Sequence, residues 1–92
     1  MTTLCEKLLE QSLERIRQHL PKDCEMDDIG WNEEAEIFQI CVFDVSTLEN
    51  SMRGAIDRFV FYRIKGETDE EMTERWNRKL QAFCERLKGE GQ

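Results

Sequence analysis

The chain has 92 residues, of which 39% are hydrophobic and 36% charged, with a formal net charge of −7. This length points to a single domain over 1–92, near the lower end of what one core sustains, and the clustered apolar residues exclude a disordered tail. No apolar run approaches the ~20 residues of a membrane span and MTTLCEKLLEQ lacks the layout of a secretory signal, so a cytoplasmic protein without membrane association is expected.

The first predicted element is a helix from Thr3 to Leu20. Thr3 and Glu6 form a capping box, in which each side chain satisfies a backbone N–H at the helix start. Leu9, Leu13, Ile16 and Leu20 recur at helical spacing, with Cys5 and Leu8 widening the stripe. Pro21 ends the element, because the residue before proline is pushed out of the helical region. A weak strand follows over Glu25 to Gly30, with a turn at Trp31-Asn32-Glu33.

Two stronger strands come next. Ala35 to Val45 and Ile56 to Lys65 are rich in β-branched and aromatic residues, and a long polar connection containing Gly54 joins them. A second helix opens at Thr68, where Glu71 completes another capping box. Met72, Trp76, Leu80, Phe83 and Leu87 mark its apolar face, and Gly89 is expected to stop it. The predicted fold is α+β, a small two-layer α-β-β-β-α domain with an antiparallel sheet between amphipathic terminal helices, or α-β-β-α without the weak strand.

Neither strong strand has a polar face. An antiparallel sheet covered on one side should alternate apolar-in, polar-out, yet both strand centres are apolar. Either the helices cover one face each, or both pack on one face and leave the other for a second chain. Helices tend to segregate to one side of a small antiparallel sheet, which favours the second arrangement. Phe38, Ile40, Val42, Phe59 and Phe61 are then expected to form an apolar interface, with a homodimer as the simplest closed solution.

The charges are distributed unevenly. Residues 23–52 carry nine acids and no lysine or arginine, whereas the flanks are nearly neutral. Asp23, Glu25 and Asp27, with Glu34 twelfth, echo the oxygen-ligand spacing of a calcium loop. Asp28 stands where that loop needs glycine, and Gly30 where it carries an aliphatic residue, so no metal or cofactor is expected. Cys5, Cys24, Cys41 and Cys84 are widely spread with no C-x-x-C pair, and read as reduced thiols. His19, near a helix C-terminus, suits a dipole contact better than general-base chemistry. No nucleophile elbow or phosphate-binding loop is present, and a non-enzymatic protein is expected.

A field of one sign steers a protein towards a surface of the other. The expectation is an acidic binding or regulatory protein in which Asp23, Glu25, Asp27, Asp28, Glu33, Glu34 and Glu36 dock on a basic protein partner. By compositional analogy, such a protein would inhibit a nucleic-acid-handling complex in the style of phage anti-restriction and anti-CRISPR proteins. The alternatives are an acidic adaptor or chaperone masking an apolar client segment through the sheet, and an RNA- or DNA-binding module using the basic C-terminal helix. The last is disfavoured, because an isoelectric point near 4.7 implies repulsion from phosphates.

Overall fold

The computed structural model describes residues 3–44 and 55–90. Helix α1 (Leu4–His19) is followed by strands β1 (Cys24–Asn32), β2 (Ile37–Asp44) and β3 (Ala55–Tyr62), and by helix α2 (Asp69–Glu90). The strands form an antiparallel sheet in the order β1-β2-β3. This is the α+β architecture, in α-β-β-β-α order.

Both helix starts are capped by the threonines that the sequence marks. Thr3 Oγ1 accepts the Glu6 N–H at 3.1 Å. At α2 the box is reciprocal: the Glu71 N–H donates to Thr68 Oγ1 and the Thr68 N–H to Glu71 Oε1, each at 3.1 Å. Leu20 is extended ahead of Pro21, as required. Gly89 does not terminate α2 but lies within its last turn.

The strand boundaries differ from those expected. β1 is longer, and the turn falls at residues 33–36, after Asn32. Asn32 fixes it by accepting the Ala35 N–H on its side-chain oxygen at 3.0 Å. Glu36 adopts a left-handed φ of 50°, uncommon for a residue with a Cβ, and its carbonyl accepts the Arg63 N–H at 3.2 Å. β3 ends at Tyr62, and the chain turns through Gly66, whose φ of 85° suits glycine. Val45 and the connection at 45–54 fall outside the described residues.

Both helices pack on the same face of the sheet. The covered face, however, is the one that carries Phe38, Ile40, Val42, Phe59 and Phe61. These five are at most 3% exposed and form one cluster with Leu8 and Ile16 of α1 and Met72, Leu80, Phe83 and Leu87 of α2. The expected apolar interface is therefore the core of this chain. The opposite face carries Ile37, Gln39, Cys41 and Phe43 on β2 and Arg58, Val60 and Tyr62 on β3.

A polar side chain sits inside the core. Ser12 is fully buried, donates to the Leu8 carbonyl at 2.6 Å, and accepts the Trp76 indole N–H at 2.7 Å. It pins α1 to α2. Ser12→Ala removes the acceptor and strands a buried indole donor, so a loss of about 1–3 kcal/mol is expected in urea unfolding. An unchanged midpoint would mean that this hydrogen bond contributes nothing net.

Candidate functional site: an acidic border along β1

Among the described residues β1 is an edge strand, with β2 on one side. Its alternation sends Cys24 and Met26 towards the core, where both pack against it, and places Glu25 and Asp27 on the opposite face. The register shifts between Asp27 and Gly30, the signature of a bulge. Gly30 sits where an added Cβ would lie 3.2 Å from Gln39 Cγ, so glycine gives Gln39 its room.

The seven acids singled out in the sequence do not all fall together. Asp23 lies in the turn before β1, Glu25 and Asp27 on the strand, and Glu33 and Glu34 in the turn after it; all five are exposed. Together they edge the sheet for about 25–30 Å, the length of a nine-residue strand. The side chain of Asp28 is outside the described residues. Glu36 does not belong to the border: its carboxylate pairs with Arg63. The calcium-loop echo spans an extended strand, which cannot wrap oxygen ligands around an ion.

Three ion pairs gather at the β3–α2 junction. Arg63 pairs with Glu36 and, at 2.8 Å, with Asp69, and its guanidinium pKa is raised, chiefly by the Asp69 hydrogen bond. Arg75 grips both carboxylate oxygens of Glu67 at 2.8 Å, donates to the Tyr62 carbonyl, and stacks 4.4 Å from the Phe61 ring centre. The Arg75 hydrogen bond is the main reason that the Glu67 pKa falls from 4.5 to about 2. Arg63 and Arg75 thus hold the fold together, and Arg75 is one of the cations of the basic C-terminal helix. Arg86 pairs with Asp57 at 3.1 Å, while Arg58, Arg78 and Lys79 are exposed.

Cys5 and Cys84 are buried thiols outside any disulfide. Burial raises the pKa of Cys5 and Cys84, which keeps them protonated and poorly nucleophilic at neutral pH. Sequence reasoning missed the outward sheet face. Tyr62 is 49% exposed and Ile37 36%, and they are cross-strand neighbours. The signal was present: Gln39 and Arg58, the polar residues at mid-strand, lie on this face.

Among the described residues no helix is long and apolar enough to cross a membrane. No protein-family model matches the chain, and no curated protein or solved structure matches it.

Proposed function

We propose that this protein is a non-enzymatic binding protein whose acidic border docks on a basic surface of a nucleic-acid-handling protein and competes there with nucleic acid. The supporting observation is the row Asp23, Glu25, Asp27, Glu33 and Glu34, exposed along one edge of a rigid sheet. Carboxylates fixed at intervals on a strand present negative charge as a phosphate backbone does, and a surface built to neutralise phosphates accepts either. The Cys5 and Cys84 thiols suit a cytoplasmic setting.

The test replaces Asp23 and Glu25 with Asn and Gln, and Glu33 and Glu34 with Gln. Wild-type protein used as bait in its native cell is expected to retain a basic partner, to release it as salt rises, and to lose it to added nucleic acid. The fourfold variant is expected to bind at least about tenfold more weakly with its fold intact. Retention of the same partner by that variant refutes the proposal. A second reading, an acidic adaptor for an apolar client, draws support from the outward pair Ile37 and Tyr62. Tyr62→Ser would disable that client binding and leave salt-sensitive docking untouched.

A further inference from the structure

The sheet has a second edge, and its chemistry is opposite to that of the first. Beyond β3 lies a groove of about 350 Å³ between the strand and the flank of α2, lined by Arg58, Phe59, Val60, Lys79, Ala82 and Arg86. Arg58, Lys79 and Arg86 are exposed, and the acid beside them, Asp57, is already held by Arg86. α2 supplies its cations at helical spacing: Arg75, Lys79 and Arg86 follow one another along the flank facing β3, with Ala82 leaving room between the last two. The groove is therefore basic on both walls and apolar at its floor, where Phe59 is 3% exposed.

The backbone of β3 determines what the groove can hold. The Arg63 N–H points to β2, where it donates to the Glu36 carbonyl. By alternation Phe61, Phe59 and Asp57 also turn towards β2, and Tyr62, Val60 and Arg58 turn away from it. Two of these outward groups are satisfied: the Tyr62 carbonyl accepts from Arg75, and the Arg58 N–H donates to Asp57 at 2.8 Å. Between these two closures, Val60 presents its N–H and C=O to the groove, with no strand beyond them among the described residues. The ladder register is regular from Ile37–Tyr62 to Val42–Asp57, so the edge is straight where the groove lies. β1, by contrast, is broken by its bulge.

We infer that this groove binds an extended acidic segment of a partner protein by adding it to the sheet as a fourth strand beside β3. An exposed strand edge next to a helix supports this mode of recognition, in which main-chain bonds give affinity and alternate side chains give specificity. In an added strand, consecutive residues face opposite sides of the sheet. One acid then meets Arg58 on the outward face, and its neighbour meets Lys79 and Arg86 on the helix side. The segment recognised is one with at least two consecutive Asp or Glu residues. Nucleic acid fits less well, because the Val60 N–H and C=O need an acceptor and a donor at peptide spacing. This surface lies across the sheet from the acidic border and is independent of it.

The experiment presents the full chain with an array of random octapeptides. Enrichment of consecutive acidic residues is expected, and Arg58→Ala with Lys79→Ala should weaken the best peptide by about tenfold or more. In the bound state the Val60 amide should exchange with solvent about tenfold more slowly, and N-methylation of the peptide at the residue facing Val60 should abolish binding. Any of four results overturns the inference: no acidic enrichment; binding indifferent to the two substitutions; a Val60 amide left unprotected; or tighter binding of a single-stranded oligonucleotide to the same residues. Self-association of the chain that disappears with Arg58→Ala would instead assign the groove to a second copy.

Discussion

Phe61→Ala is expected to cost about 3–5 kcal/mol, the usual penalty for emptying a buried phenylalanine site. Phe61 has no exposed surface, lies 5.8 Å from the Phe38 ring and stacks on Phe59 at 6.5 Å. The Arg75 guanidinium covers its remaining side, so truncation also removes the surface on which that cation rests. A domain of this size has roughly 5–14 kcal/mol in total, and the variant would be close to unfolding. The control is the next residue: Tyr62 points to the opposite face and is 49% exposed, and Tyr62→Ala should cost less than about 1 kcal/mol. Adjacent residues with such different penalties report which face is packed, since a one-residue shift of register exchanges the faces. Urea midpoints at constant m-value measure both. Equal, small penalties would place Phe61 on a free surface.

That contrast marks what was legible in the sequence. Helix starts were readable because caps act over three residues: Thr3 with Glu6, Thr68 with Glu71. The strands were readable from β-branched and aromatic runs. The covered face was not decided by alternation, because Ile37, Cys41 and Phe43 are as apolar as Phe38, Ile40 and Val42. Only Gln39 and Arg58 distinguished them. Ser12 was hidden for the converse reason: a serine in an apolar stripe reads as a break until its partner, Trp76, 64 positions away, closes the bond.

The acidic segment was legible as charge depletion, but not its division. The separation of Glu36 from the border depends on Arg63, and the binding of Glu67 depends on Arg75; neither pair is at a spacing that local rules can read. Once they are placed, the charge pattern of the fold is clearer. Arg75, Lys79 and Arg86 of α2 face β3, acids line β1, and the sheet separates the two. The protein therefore has two unlike edges, and mutations in one are expected to leave the other unaffected.

The second large effect concerns acid. In the unfolded chain Glu67 takes up its proton near the ordinary value of 4.5; in the native state it resists until about 2. Its contribution to stability is thus fully present above about pH 4.5 and is lost as pH falls towards 2. Over that window the unfolded state binds up to about one more proton at this site, and stability falls accordingly with decreasing pH. Glu67→Gln should lower stability at neutral pH, flatten the slope between pH 4.5 and 2 by about one proton, and meet the wild-type curve near pH 2. Arg75→Gln should flatten it in the same way, because the Arg75 hydrogen bond is the main cause of the shift. Urea unfolding across this range provides the slopes, and the carboxyl resonance of Glu67 the site itself; parallel curves for wild type and both variants would show that the pair does not couple to folding. The junction should also respond first: the Ile64 N–H donates to Glu67 Oε1 at 3.2 Å, so its exchange should accelerate on acidification before that of amides buried beneath α2.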